Sequence, residues 1–225
     1  MDLLPSIRRN RFLWIFLATG LLVQVVAYWW MPDNPWSLVS GLLGICSVVL
    51  CSQGNILTFI FGFGQILTYT YLCWLERFYA GIAMNAFYFA SQIYGLWYWR
   101  RLASSDTSSL NTELTTFHSL RWQWLVLLTV VLVGLSLLTG CLLSFYTDDT
   151  QPYLDAVTTV PAIAAQILMV LAFREHWFIW LTIDILYVVL WARAGNYCML
   201  MQYAFWCINC VYGFTRWSRS LPARA

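Results

Sequence analysis

Charge is what this 225-residue chain has least of: 10% of its residues are Asp, Glu, Lys or Arg, against about 25% in an ordinary soluble domain. It has no lysine at all, only twelve arginines, and its two histidines are His118 and His176. Instead, 61% of the residues are hydrophobic and 18% aromatic. Such a composition cannot clothe a solvated surface, so the chain is expected in a lipid bilayer with no soluble domain left to place. The scarcity also excludes chemistry. No histidine falls inside an apolar run, and no general base stands beside a nucleophile. HExxH, a glycine-rich phosphate loop, nucleic-acid motifs and paired intramembrane carboxylates are all missing. Hydrolysis, metal catalysis, ATP-driven transport and nucleic-acid binding therefore lack their residues, and the expectation is a non-enzyme without cofactor or metal.

What is present is a series of apolar runs, each close to the ~20 residues a helix needs to cross ~30 Å of hydrocarbon. Cutting at charges, prolines and polar clusters gives eight spans: 12–30, 36–52, 55–75, 79–99, 122–146, 153–173, 177–192 and 197–217. The first follows Arg8, Arg9 and Arg11 but runs too far and lacks a small-residue cleavage site, so it reads as a retained helix. Seven cysteines (Cys46, Cys51, Cys73, Cys141, Cys198, Cys207 and Cys210) lie mainly within the runs. The CxxC spacing of Cys207 and Cys210 has no second thiol pair or nearby histidine, so packing is the expected role.

Orientation follows from arginine, because basic residues concentrate in cytoplasmic segments. With the N-terminus inside, Arg8, Arg9, Arg11, Arg100, Arg101, Arg121, Arg174, Arg216, Arg219 and Arg224 are cytoplasmic, and only Arg77 and Arg193 are outside. The external turns carry Asp33, Glu76, Asp148, Asp149 and Asp155. Both termini are expected in the cytoplasm, as is the Ser/Thr-rich linker 100–121, whose composition is that of a flexible connection.

Two stretches repeat. NAFYFASQIYGLWYWRR (85–101) and QYAFWCINCVYGFTRWSR (202–219) share an aromatic stripe, a Tyr-Gly pair, a Trp and then arginine. Upstream, GQILTYTYLCWLERFYAG (64–81) matches IDILYVVLWARAGNY (183–197), which sets Gln65 opposite Asp184 at an offset of 119. The Tyr-Gly pairs match at 118, and the amide pairs Asn85/Gln92 and Gln202/Asn209 at 117, so the register stays open by a residue. The expected architecture is all-α and polytopic, with two three-helix repeats. Residues 1–35 form an extra N-terminal helix, 36–99 the first repeat, 100–121 the linker, 122–146 a connecting helix, 153–217 the second repeat and 218–225 a tail. Three spans plus one make an even number, so the repeats are parallel, a design that places a substrate site near the midplane where they meet. The short span 177–192, and Gly54, Gly62 and Gly64 around its counterpart, point to the same place.

Asp184 lies near mid-depth in HWFIWLTIDILYVVLW (176–191), where insertion scales put a lone aspartate at ~+2.5–3.5 kcal/mol. Trp177, Trp180 and Asp184 are spaced i, i+3, i+7 and share a helical face, with the acid about 10 Å along the axis from the first tryptophan. An aromatic wall beside a carboxylate suits a flat ring bearing hydroxyls or positive charge. The competing reading makes the tryptophans an interfacial belt and pairs Asp184 with a neighbouring helix. Asn85 and Gln92, and Gln202 and Asn209, are each seven apart on one face, and Gln53, Gln65 and Gln166 add further amides. These are candidate cavity residues, or interhelical glue worth ~0.6 kcal/mol each. A lone carboxylate makes a poor proton wire, so facilitated diffusion is the simpler expectation.

The Trp-x-x-Trp-x-x-x-Asn/Asp pattern, here Trp177, Trp180 and Asp184, resembles the PnuC-type nicotinamide riboside transporters, whose architecture is similar to that of SWEET sugar transporters. The similarity continues through NAFYFASQIYGLWYW and covers roughly 36–217. It implies uptake of nicotinamide riboside without ATP across a bacterial inner membrane, trapping by a cytoplasmic nicotinamide riboside kinase, and homo-oligomers with trimers as one form. By the family pattern Trp177 and Trp180 pack against the nucleoside, while Asp184 and the amides (Asn85, Gln92, Gln202, Asn209 and Gln65) bind its ribose or carboxamide. Asp184 stands where the family often has Asn, which favours a cation more than an amide would. Another vitamin, such as thiamine or riboflavin, is the alternative cargo, and a membrane receptor is the alternative from another class.

Overall fold

The computed structural model describes residues 11–30, 34–75, 79–104, 117–146, 152–194 and 197–221. Arg8, Arg9, Arg77, Arg224, Asp33, Glu76, Asp148 and Asp149, which carry much of the expected charge asymmetry, and linker residues 105–116 lie outside them. The described residues form eight helices and no strand: α1 Arg11–Trp30, α2 Pro35–Ser52, α3 Leu57–Leu75, α4 Tyr79–Ser104, α5 Trp122–Tyr146, α6 Pro152–Val170, α7 His176–Ala194 and α8 Tyr197–Arg219. Four of them, α1, α2, α5 and α6, are long and apolar enough to cross a membrane by hydropathy alone, and α7 is apolar over His176–Leu190. The helices that fall short of that measure, α3, α4, α7 and α8, turn Gln, Asn, Tyr, Trp and Asp side chains toward the interior.

Helix packing reveals the duplication. α2 packs on α3 and α3 on α4, and in the same way α6 packs on α7 and α7 on α8. The two triplets join through α2 against α8 and α4 against α6, the first helix of each against the last of the other, which is the pattern of a two-fold axis. α1 leans on α2 and α8, whereas α5 touches α6 alone among the described helices. The middle helices α3 and α7 make no backbone contact with each other, so side chains must span the space between them.

The corners fix the register. α2 opens on Asn34, whose Oδ1 accepts the Trp36 N–H at 3.1 Å, with Pro35 at the first helical position where its missing N–H costs nothing. It ends where Gly54 turns left-handed (φ 70°), with the N–H of Gly54 donating to the Cys51 carbonyl and that of Asn55 to the Leu50 carbonyl. Asn55 then caps α3 by accepting the Leu57 N–H at 2.9 Å. The same turn ends α6 on Ala172, left-handed at φ 59° despite the cost of its Cβ there, with the N–H of Ala172 donating to the Met169 carbonyl and that of Phe173 to the Leu168 carbonyl. Every partner is 118 residues from its counterpart. The offset of 118 thus settles the register: Ile66, and not Gln65, is the equivalent of Asp184, and the 117 match of the amides is a coincidence of spacing. The left-handed turn also ends α6 at Val170, short of the expected 173.

Among the described residues, the Ala172 corner has a strap that the Gly54 corner lacks. His118 donates its N–H to the Ala172 carbonyl at 2.9 Å and accepts the Arg174 N–H at 3.0 Å, while Phe117 stacks on Trp217 with centroids 4.2 Å apart. The first corner is held instead by a reciprocal staple, Ser47 Oγ to the Thr58 carbonyl and Thr58 Oγ1 to the Ser47 carbonyl, both 2.9 Å.

Candidate functional site

With the register known, four stripes of side chains at i, i+3, i+7 and i+10 line the space around the two-fold axis. On α3 they are Phe59, Gly62, Ile66 and Tyr69; on α7, Trp177, Trp180, Asp184 and Tyr187. On α4 they are Asn85, Tyr88, Gln92 and Gly95; on α8, Tyr203, Trp206, Cys210 and Gly213. One further turn brings the fully buried pair Trp99 and Trp217.

At the corner end of the bundle the stripes close completely. Phe59 lies against Gly95 and Trp177 against Gly213, where any Cβ would collide with the ring. Phe59 meets Trp99 edge-on at 4.9 Å, Trp177 meets Trp217 at 5.6 Å, and Trp99 meets Trp217 across the axis at 6.0 Å. Trp99 Nε1 donates to the Val170 carbonyl at 3.0 Å, whereas the indole N–H groups of Trp177 and Trp217 have no partner among the described residues. His176, fully buried, caps this layer with Nδ1 2.6 Å from the Phe173 carbonyl and its ring 4.3 Å from Trp177. Trp180 packs beside the same cluster, partly buried.

The middle level holds the polar groups. Asp184 is 3% exposed, and Oδ2 accepts the Cys210 thiol at 3.5 Å. Opposite, the buried Gln92 covers Gly62, and its Oε1 has no partner among the described residues; two turns away, at the depth of its counterpart Tyr203, the buried Asn85 has Nδ2 likewise without one. No arginine reaches this level among the described residues: Arg100, Arg101, Arg121, Arg174, Arg193, Arg216 and Arg219 all sit at helix ends. A buried carboxylate, and near it a buried amide oxygen without a partner among the described residues, are costly in any interior, so Asp184 with Gln92 marks this level as the candidate site.

The remaining expected residues divide. Asn209 Nδ2 donates to the Val48 carbonyl on α2 at 3.1 Å, leaving its Oδ1 buried without a partner. Gln166 Nε2 donates to Ser91 Oγ on α4 at 2.8 Å. These are one interaction drawn twice, since 48 and 166, and 91 and 209, are equivalent positions; Asn209 therefore holds the repeats together. Gln65 lies over Gly44 of α2, away from the axis, and Gln53 donates to Tyr212 Oη at 3.2 Å. Gln202 is partly buried, one residue before Tyr203.

Beyond Asp184, toward the far end of α7, lies a layer that composition concealed. Tyr187, one turn from Asp184, stacks on Tyr203 with centroids 4.7 Å apart and planes at 22°, and Tyr203 meets Trp206 edge-on at 5.1 Å. In the other repeat Tyr69 and Tyr88 hold the positions equivalent to Tyr187 and Trp206. Tyrosine is common in membrane proteins, so only continuing the Trp177, Trp180, Asp184 spacing by three residues would have singled out Tyr187.

Comparison with known proteins gives one answer. Residues 34–219 match the model of a family described as nicotinamide mononucleotide transporter. A nicotinamide riboside transporter PnuC of Haemophilus influenzae is 32% identical over 208 residues, 91% of this chain and 88% of the relative. That of Neisseria mucosa is 29% identical over 92% of this chain and 80% of its own length. The crystal structure of the vitamin B3 transporter PnuC matches with a TM-score of 0.76 at 27% identity, covering 94% of this chain and 92% of that one.

Proposed function

Since the chain belongs to the nicotinamide mononucleotide transporter family, we propose that it carries nicotinamide riboside into the cell, at a site on the axis between its two repeats. The observation that carries this reading is Asp184: a buried carboxylate that accepts a hydrogen bond from the Cys210 thiol, near the buried Gln92 Oε1 that has no partner among the described residues. A pyridinium nucleoside supplies what that level lacks. Its ring charge is attracted to Asp184 and its flat face fits beside Trp180, while ribose hydroxyls and the carboxamide can pair with Gln92 and Asn85. The family description names the mononucleotide, but the added phosphate would bring negative charge to a level that holds an acid and no arginine.

In this reading the protein is a multi-pass protein of the bacterial inner membrane with both termini and the linker in the cytoplasm, which puts the Gly54 and Ala172 corners on the inner side. Its division is that expected from sequence: an added helix over 1–35, repeats over 36–99 and 153–217, and the connecting helix 122–146 between them. Transport is facilitated diffusion, because Asp184 has no second intramembrane charge to relay protons, and a cytoplasmic kinase traps the product. A homo-oligomer fits the exposed apolar face of α5. Counterflow of labelled nicotinamide riboside into liposomes containing the purified protein alone tests the proposal. Unlabelled riboside inside should drive uptake without ATP or an ion gradient, and the mononucleotide should not compete. Equal competition by mononucleotide, or accumulation that requires an imposed proton gradient, would overturn the cargo or the mechanism respectively.

A further inference from the structure

α1 fills a seat on the outside of the bundle that the two-fold axis repeats on the far side. It packs against α2 and α8. Phe16 stacks on Phe205 with centroids 4.5 Å apart and meets Tyr212 at 6.2 Å, and Gly20 lies so close to the Phe205 ring that a Cβ there would collide with it. The symmetry mates of α2 and α8 are α6 and α4, which also touch each other. Along that pair no described helix takes the place of α1, because α5 reaches α6 but not α4. Exposure records the difference: Val49, clustered with Leu13 of α1, is 1% exposed, whereas its equivalent Ile167 is 46% exposed. In the same way Phe205 is buried and Tyr212 partly so, while their equivalents are the half-buried Phe87 and the exposed Tyr94.

The corner end of the open seat is not merely apolar. From Tyr94 onward α4 presents Trp97, Tyr98, Arg101 and Leu102, and these five residues line a cavity of about 310 Å³. Tyr94 stacks on Tyr98 at 6.0 Å and leans on Trp97 at 5.6 Å, and the Arg101 guanidinium lies 5.6 Å from the centre of the Trp97 ring. A guanidinium fork matches phosphate oxygens, and Trp and Tyr settle at the depth of lipid headgroups. The α8 counterpart has lost this chemistry: it keeps Arg219, but Thr215 and Arg216 stand where α4 has Trp97 and Tyr98, and Tyr212 is held by Phe16 and by the Gln53 amide. We propose that the seat between α4 and α6 retains an anionic glycerophospholipid, with its phosphate at Arg101 beside Trp97 and an acyl chain along Tyr94, Phe87 and Ile167. In the orientation proposed above it belongs to the inner leaflet, where basic pockets between spans hold such headgroups. The lipid thus does for α4 and α6 what α1 does for α8 and α2. A second copy of the chain fits less well, since an apolar helix laid there would cover Arg101 without supplying an opposite charge.

Native mass spectrometry of the purified full chain in mild detergent tests this, with phosphatidylglycerol and phosphatidylcholine of matched acyl chains as probes. Phosphatidylglycerol should be retained about fivefold more tightly or better, the effect of one arginine at an anionic surface. Arg101→Gln and Trp97→Ala should each remove most of that preference, and Arg101→Lys should keep part of it. Arg219→Gln, at the equivalent place on α8, should leave it unchanged. Both Arg101 and Trp97 are exposed, so their variants should melt near the parent temperature without added lipid; where Trp97→Ala does not, Arg101→Gln decides. Equal retention of the two lipids by the parent overturns the proposal, and so does an equal loss from Arg219→Gln, which would make the preference one of diffuse charge. Disulfide-linked pairs of chains formed by Tyr94→Cys in native membranes, and absent from the parent, would put a second copy in the seat and overturn it as well. None of these outcomes depends on the cargo, so failed riboside counterflow would leave the lipid site standing.

Discussion

The two repeats share a backbone and differ in their walls. Gly54 and Ala172, Phe59 and Trp177, Gly95 and Gly213, and Trp99 and Trp217 occupy equivalent places, so the turns, the glycine seats and the closing rings survive from a common unit. At the level of the site the equivalence stops: Ile66 faces Asp184, Gln92 faces Cys210, Gly62 faces Trp180 and Asn85 faces Tyr203. One wall thus carries amides, with Gln92 packed over Gly62, and the other an acid, a thiol and an indole. A ligand bound there meets two unlike surfaces, as an unsymmetrical nucleoside requires. The corners and glycine seats are alike in the two repeats, and the side chains at the proposed site are not.

The comparison breaks most sharply at Asp184. Asp184→Ala should weaken riboside binding by roughly 1.5–3 kcal/mol, the scale of a hydrogen bond to a charged group, whereas Ile66→Ala, at the equivalent position, should leave affinity near the parent value. Titration calorimetry on both purified variants checks this, and Asp184→Asn refines it: mild loss indicates hydroxyl binding, and loss as large as in alanine indicates attraction to the ring charge. Equal effects at 66 and 184 would mean that the walls are not distinct.

A smaller effect is expected at the corners. Gly54→Ala forces a Cβ into a left-handed backbone and should cost about 1–2 kcal/mol of stability, measured as a lower melting temperature in detergent. Ala172→Gly relieves that strain but loosens the unfolded chain, so its gain should stay below about 1 kcal/mol. The smallest change belongs to the paired inter-repeat bonds. Gln166→Ala and Asn209→Ala should each cost only about 0.6 kcal/mol of stability, the average for such bonds within a membrane. A loss at Asn209 that appears in riboside affinity instead would return that amide to the site.

These differences explain what could be read from the sequence. Eight apolar runs and the repeated Tyr-Gly, Trp, Arg text were enough for the helices and their duplication, because hydrophobic length and a copied stretch are local properties. The register was not local: Gln65 is polar and sits beside Ile66, so it drew the alignment toward Asp184 by one residue, and only the shared left-handed corners correct it. Asp184 stood out because charge is rare here. Gln65 and Asn209 were equally visible as amides, but which neighbour an amide bonds is decided by tertiary packing, and theirs are α2 contacts. Tyr187 carried no such signal, since its meaning depends on Tyr203 from another helix.

Among the described helices α5 touches only α6, has small buried positions at Ser136 and Gly140, and turns most of its surface outward. Few of its residues are therefore constrained by a neighbour within the chain. Across species its sequence should drift freely among Leu, Val and Ile wherever it does not meet α6 or another copy, while its length, and the even offset of four spans that it completes between the repeats, cannot change. Losing it would insert the second repeat upside down, and the two walls would no longer enclose one site.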